Sequence, residues 1–285
     1  MGYPGDFAYV KCGDCGLVYQ YPRLTQEALQ AYYVGDYDAY AQVLRDDPSP
    51  LRRVIRRYGF IKQRRYVERF VDQGRLLDVG CGTGLFLEEM QRTGRWQLWG
   101  VEPNLEAATY VQKVLGVTVT HATFEEVGLP LASFDVVTLW YVLEHLRSPM
   151  QALRKVYQLL RPGGFLVFAI PNYESLGRRT FGRFWSAWDL PRHLHVFPRP
   201  VLQRMLHDSG FEAVAHRTFL ITYFVLGQSL DFWLQDWPAG LQGAGRLLRA
   251  LYYSPLGRLG FFPFQLLLEW SGLAPITTWA ARKVR

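Results

Sequence analysis

Asp78, Gly80, Gly82 and Gly84 stand at alternate positions between two apolar runs, Leu76-Leu77 and Leu85-Phe86-Leu87. A carboxylate at the end of a buried strand, followed by glycines that let the backbone turn tightly and approach a ligand, reads as a loop that closes on a small molecule and opens a helix. Alternate glycines alone serve many nucleotide folds. A second run, Trp96 to Val101, ends in Glu102, at the spacing expected of a carboxylate that grips ribose hydroxyls. A dinucleotide loop of the form Gly-x-Gly-x-x-Gly would need glycine three positions after Gly82, where Leu85 stands. That spacing argues against bound NAD and for a ligand without a pyrophosphate.

Strands and helices must hold these residues in place. Apolar runs and turn signals predict strands near 75–79, 96–101, 117–120, 134–140, 164–170, 211–219 and 275–283, and helices near 84–93, 104–115, 149–160 and 199–209. Pro162-Gly163-Gly164 is expected to stop the helix before it and turn the chain into the fifth strand. The alternation predicts an α/β fold, a mostly parallel sheet with helices on both faces.

Four ordered motifs extend the first two: Asp78-x-Gly80-x-Gly82-x-Gly84, Val101-Glu102-Pro103-Asn104, Ser133-Phe134-Asp135-Val136-Val137 and Leu160-Arg161-Pro162-Gly163-Gly164. Together they resemble class I S-adenosylmethionine (SAM) methyltransferases over residues 75 to 170. The resemblance implies a Rossmann-like seven-stranded sheet whose last strand is antiparallel to its neighbours. It also implies SAM as cofactor and S-adenosylhomocysteine as product. On it, Asp78 meets the ammonium of the SAM tail, Gly80, Cys81 and Gly82 bring backbone amides to the tail and ribose, and Gly84 completes the loop. Glu102 accepts from both ribose hydroxyls, Thr123 and Phe124 contact adenine, and Trp140 borders the sulfonium. The family often carries an acid where Thr123 stands.

Methyl transfer is an in-line displacement, so positioning supplies most of the catalysis, and a base is needed only where the nucleophile loses a proton of high pKa. Glu144-His145, read as the start of the helix after the fourth strand, resembles a motif of small-molecule methyltransferases. His145 either faces the acceptor or bonds to backbone. Trp188-Asp189-Leu190-Pro191-Arg192-His193-Leu194-His195-Val196-Phe197 resembles the Glu-His-x-x-Tyr-Phe segment of sugar C-methyltransferases, with His193 on the catalytic histidine. Arg192 replaces the glutamate and would suit a phosphate or carboxylate on the acceptor. His195 packs or orients its neighbour. Arg178, Arg179 and Arg183, in the loop before this segment, either recognise an anionic acceptor or face solvent.

The 285 residues, 49% hydrophobic and 20% charged, describe a globular chain able to bury a sizeable core. A formal charge of +7 suggests an anionic partner or surface. Three cysteines are too few for a disulfide framework, and no charged-then-apolar leader opens the chain, so the expected compartment is the cytoplasm. The expected organisation is an N-terminal extension over 1–70, a SAM-binding core over 71–219, an apolar helical insertion over 220–273 and a final core strand over 274–285. In the extension, Lys11-Cys12-Gly13-Asp14-Cys15-Gly16-Leu17-Val18-Tyr19 resembles the second half of a zinc ribbon. One Cys-x-x-Cys pair supplies two of four ligands, so no bound metal is expected. Tyr32, Tyr33, Tyr37 and Tyr40 around Gly35 either cover the cofactor or pack on the core. A helical pattern over 51–70 carries Arg52, Arg53, Arg56, Arg57, Arg64 and Arg65, a solvated face or a surface for an anionic substrate, RNA or lipid headgroup. The insertion is read as a cap over the substrate pocket, a homodimer interface or a peripheral membrane surface. Three functions follow. The first is methyl transfer to oxygen or carbon of a small or glycan-like, lipid-linked acceptor. The second is RNA methylation, against which stands the lack of an Asn/Asp-Pro-Pro-Tyr motif after the fourth strand. The third is non-catalytic membrane or partner binding. DNA is not an expected partner.

Overall fold

The computed structural model describes residues 6–32 and 50–284; Tyr33, Gly35, Tyr37 and Tyr40 lie outside the described residues. In chain order the elements are β1 (Ala8–Lys11), β2 (Val18–Tyr21), α1 (Gln26–Gln30), α2 (Pro50–Val67), β3 (Gly74–Val79), α3 (Leu85–Gln91), β4 (Trp96–Glu102), α4 (Leu105–Leu115), β5 (Thr118–His121) and β6 (Phe134–Trp140). They continue with α5 (Pro149–Leu159), β7 (Leu160–Pro171), α6 (Leu176–Phe181), β8 (His195–Val196), α7 (Arg199–Asp208), β9 (Phe211–Arg217), α8 (Thr222–Gln235), α9 (Gln242–Tyr253), α10 (Pro255–Ser271) and β10 (Ile276–Lys283). The chain divides into two compact bodies.

One body takes Gln26–Ala169, Gln203–Ala215 and Trp279–Arg285. It carries the central sheet, whose order is β5-β4-β3-β6-β7-β10-β9. β3 pairs in parallel with β4 on one side and β6 on the other. A central parallel strand is covered on both faces, which is why Leu76, Leu77 and Val79 form an unbroken apolar run and are all buried. The register sets Asp78 between Gly100 of β4 and Thr138 of β6. Asn104 starts α4 by accepting a hydrogen bond from the Ala107 amide at 2.8 Å, the ordinary use of asparagine at a helix N-terminus. Arg57 and Arg64 of α2 both bond Glu89 of α3, at 3.2 and 3.1 Å, and Arg64 also pairs with Glu68 at 2.6 Å.

The fifth sheet strand corrects one expectation. Pro162-Gly163-Gly164 does not separate helix from strand, because β7 starts directly after α5 with Leu160 opposite Phe134. The next pair is Val136 with Phe165, so residues 161–164 bulge out, with Gly163 at φ +76°. The bulge is tied down by Arg161, which donates to both oxygens of Asp135 at 2.8 and 3.0 Å.

The other body takes Met1–Thr25, Ile170–Leu202 and His216–Thr278. Its three-stranded sheet has the order β1-β2-β8, with Tyr19 opposite His195. Cys12 and Cys15 lie in the β1–β2 turn, where the amide of Gly16 donates to the Cys12 carbonyl at 3.0 Å. Backbone amides of Cys15 and Asp14 aimed at the Cys12 sulfur hold that thiol below its ordinary range. Asn172 donates to the carbonyls of Gly272 and Ala274 at 3.0 and 2.7 Å, fixing the chain that leaves α10. α8 and α10 pack through Leu226 and Leu268, joined by Ala274. Among the described residues, no helix is long and apolar enough to cross a membrane.

Candidate cofactor and acceptor sites

In the sheet body, the loop after β3 needs its glycines for two separate reasons. Gly80 has φ +68°, and a Cβ there would lie 2.6 Å from Cγ2 of Val142. Gly84 has φ +78° at the start of α3, and its Cβ would lie 2.8 Å from Cγ2 of Val111. The amides of Gly80 and Cys81 both donate to the Val101 carbonyl, at 2.7 and 3.2 Å, so the loop is tied to the end of β4. There Glu102, almost wholly buried, accepts from the Gly82 amide at 2.7 Å through one oxygen and from the Asn104 amide at 2.8 Å through the other. A carboxylate offers about four lone-pair directions. One oxygen of Glu102 holds the glycine loop and the other the start of α4, which fixes the carboxylate where a diol could meet it.

Asp78 lies under this loop, buried, and accepts from the Thr138 hydroxyl at 2.7 Å. Burial pushes its carboxyl up to about 7; the Thr138 bond pulls it down and the Glu102 charge pushes it further up. Cys81 is buried too, and its sulfur would lie 2.8 Å from a Cβ on Gly100, so the side chain fills the space above that bare backbone. Burial, with the charges of Asp78 and Glu102, pushes its thiol up. Sequence reasoning missed Thr138, whose signal is a single hydroxyl inside the apolar run of β6.

At the end of β6, Trp140 packs edge-on against Phe86 at 5.2 Å. Its Nε1 and the Tyr141 hydroxyl beside it are buried without a hydrogen-bond partner among the described residues. Tyr141 has φ +59°, and burial raises its hydroxyl pKa. Glu144 and His145 belong to a short 3₁₀ turn, Leu143–His145, and not to the helix, which starts only at Pro149. The His145 amide donates to the Val142 carbonyl at 2.9 Å, and its side chain is half-buried. Thr123 donates its hydroxyl to Glu126 at 2.7 Å. Phe124 is buried, with the Lys155 ammonium 5.0 Å from its ring centre.

In the other body, Trp185 is fully buried and meets Trp188 edge-on at 5.0 Å. Asp189, at φ +40°, holds Arg192 through two bonds of 2.6 and 3.0 Å. Arg192 is therefore engaged with a carboxylate of its own turn. His193 Nδ1 lies 2.9 Å from the Ala187 carbonyl, which can only accept, so Nδ1 carries the proton and Nε2 the lone pair. That Nε2 lies 3.7 Å from Asp189. Burial lowers the His193 pKa to about 4, the Ala187 bond opposes this, and Arg192 adds to the lowering. The imidazole is neutral near pH 7. Tyr9 places its hydroxyl 2.6 Å from the Trp188 carbonyl and 2.8 Å from that of His193, a contact no local pattern announces. His195 is buried in β8, and Arg23 donates to its Nε2 at 2.8 Å, which suits a structural role. Arg178 stacks 4.0 Å over Tyr173 and donates to its carbonyl, while exposed Arg183 pairs with Asp236 at 2.8 Å.

A glycine loop tied to an acidic strand end is a cofactor cradle in many α/β folds, and comparison decides which. A family model described as a methyltransferase domain matches residues 48–216. The chain belongs to this family of SAM-dependent methyltransferases. It is 32% identical over 156 residues to the ubiquinone biosynthesis O-methyltransferase of Ruegeria pomeroyi, a match covering 51% of this chain and 63% of that enzyme. It is 38% identical over 130 residues to the tRNA U34 carboxymethyltransferase of Idiomarina loihiensis, covering 41% of this chain and 40% of that one. The methyltransferase thus spans less than two thirds of these relatives. A SAM-dependent methyltransferase from Thermotoga maritima superposes with a TM-score of 0.52 at 20% identity, covering 81% of this chain and 92% of that chain, a likeness of fold. The cradle fits SAM: Asp78 is a buried carboxylate beside a second acid and suits the ammonium of the SAM tail. Glu102 is a carboxylate fixed at the end of β4, which suits the ribose diol, and Trp140 and Tyr141 leave buried donors without a hydrogen-bond partner among the described residues.

Proposed function

We propose that this methyltransferase moves a methyl group from SAM to an oxygen of a small acceptor, with Asp78 and Glu102 holding the cofactor and His193 as base. The observation that carries the cofactor assignment is Glu102, buried at the end of β4 with one oxygen held by the Gly82 amide of the glycine loop and the other by the Asn104 amide. When bound, SAM supplies a methyl carbon activated by its sulfonium. His193 supplies a neutral Nε2 lone pair, held by the Ala187 bond, that takes the proton the acceptor hydroxyl loses. The developing imidazolium is supported by Asp189 at 3.7 Å. His145 is the second candidate for a polar contact with the acceptor.

The low pKa of His193 bears on the acceptor. A neutral imidazole whose pKa burial has lowered is a weak base, so it suits an acidic hydroxyl, of phenol or enol type, better than a sugar alcohol. The similarity to a ubiquinone biosynthesis O-methyltransferase supports transfer to oxygen. Methylation of RNA has less support, because Arg57 and Arg64 of α2 are engaged with Glu89 and Glu68.

Calorimetric titration of SAM and S-adenosylhomocysteine into the wild type and Glu102→Ala tests the cofactor assignment. Two hydrogen bonds to a charged group, at about 1.5–3 kcal/mol each, predict a loss of roughly a hundredfold or more in affinity. Equal affinity in both proteins, or none in a folded wild type, would reject it.

A further inference from the structure

The helices α9 and α10 each turn an apolar face outward. On α9, Ala244, Leu247, Leu248 and Leu251 follow the i, i+3, i+4, i+7 spacing of one helix face, and all four are exposed, Leu247 at 72%. On α10, Leu256, Leu259, Leu266, Leu267 and Trp270 share a face, with Leu256 at 78% and Trp270 at 80% exposure. The inner side of α10 is already satisfied, since buried Leu268 packs with Leu226 and Ala274. A helix that buries one face and exposes a second apolar one marks a contact surface, because soluble monomers seldom show contiguous apolar patches of this extent.

Charge decides what covers it. α9 and α10 carry Arg246, Arg249 and Arg258 against a single acid, Glu269, whose carboxylate accepts from Thr222 of α8 and from Gln265. Arg249 pairs with Asp231 at 2.9 Å, and Arg258 lies 5.1 Å over the ring of Tyr223. A second copy docked through the same face would bring like charges together, and the one acid of these helices is already engaged with Thr222 and Gln265. An anionic lipid surface meets both features at once. Phosphates take the guanidinium groups, and the boundary between headgroups and acyl chains takes leucine and tryptophan. α10 has 17 residues, about 25 Å at ~1.5 Å per residue, and is not long and apolar enough to cross a membrane, so it would lie in the plane of the surface.

We propose that α9 and α10 seat this protein on an anionic lipid surface, with the leucines and Trp270 in the acyl boundary and Arg246 and Arg258 at the phosphates. This goes beyond the methyl-transfer reading and does not depend on it. The test is co-sedimentation of the full chain with phosphatidylcholine vesicles, with and without phosphatidylglycerol. The wild type is expected in the pellet only with the anionic lipid. Arg246→Gln with Arg258→Gln should weaken that binding roughly thirtyfold, and Leu256→Gln, Leu259→Gln and Trp270→Gln together should abolish it. All five side chains are exposed, so the variants should keep the wild-type melting temperature and SAM affinity, which separates surface binding from folding and from the cofactor site. No binding to anionic vesicles, or equal binding to neutral ones, overturns the proposal. A dimer that the leucine variants dissociate, with no vesicle binding, assigns the face to a second copy and overturns it too.

Discussion

Replacing Asp78 with asparagine keeps the shape of the side chain and removes a charge that the fold holds at a disadvantage. The ordinary pKa of this carboxyl is 3.8, and in the folded protein burial beside Glu102 raises it to about 7. Between those values the folded state keeps a proton that the unfolded state has released. Stability therefore falls as pH rises from 3.8 to about 7 and levels off above it. At about 1.4 kcal/mol per pH unit the whole interval is worth about 4 kcal/mol, of which about 2 kcal/mol lies between pH 5.5 and 8. Urea denaturation of the cofactor-free wild type and Asp78→Asn at those two pH values measures it. His193 titrates with the opposite sign, since its lowered pKa makes stability fall as pH drops below 6.5 toward about 4. Taking the difference between variant and wild type cancels that contribution. The variant should gain about 2 kcal/mol on the wild type in going from pH 5.5 to 8. A difference that stays constant with pH would show that Asp78 is ionised throughout and would refute the reasoning. Because the ionised form is the one that meets an ammonium, wild-type SAM affinity should also rise with pH between 6 and 7, and the variant should lose both the affinity and its pH dependence.

His193→Ala should lower kcat by about 10²–10⁴-fold on an identified acceptor while leaving SAM affinity unchanged in calorimetry; if it and His145→Ala both keep full turnover, neither is the base. Gly84→Ala forces a side chain onto φ +78° and to within 2.8 Å of Val111. It should cost about 1–3 kcal/mol in urea denaturation, and a neutral result would mean that α4 yields easily. Arg23→Ala removes the donor 2.8 Å from His195; it should lower the melting temperature by several degrees, about 1–3 kcal/mol, and leave SAM affinity as it was.

The central fold is legible in the sequence because its signals are local. Apolar runs, a glycine loop and an asparagine before α4 act within a few residues of themselves. What escapes is whatever depends on register. Thr138 reaches Asp78 only because β6 pairs with β3 at that position, 60 residues away. Asp189 holds Arg192 and flanks His193 only because its backbone adopts φ +40°, which no local pattern of residue types requires. Glu144-His145 reads as a helix start, yet Pro149 begins the helix four residues later, and the pair sits in a tight turn. At Pro162-Gly163-Gly164 the turn signal is real, but it marks a bulge within β7 because Leu160 has already joined the sheet.

The small sheet that joins β2 to β8 also sets an order of events during synthesis. Tyr9 must find the His193 carbonyl across 184 positions, and Arg23 must find His195 across 172. The glycine loop and β4, by contrast, are joined by Gly82 and Glu102, only 20 apart. Short-range contacts form early and long-range ones wait for the chain to close a large loop. On a ribosome the cofactor cradle can assemble while the first hairpin still lacks its third strand. A fragment trimmed to residues 48–216 would carry the loop and both carboxylates but would lose Tyr9, which braces the His193 carbonyl, and β10, the strand that stands between β7 and β9, so the family's matched span is less than the folding unit.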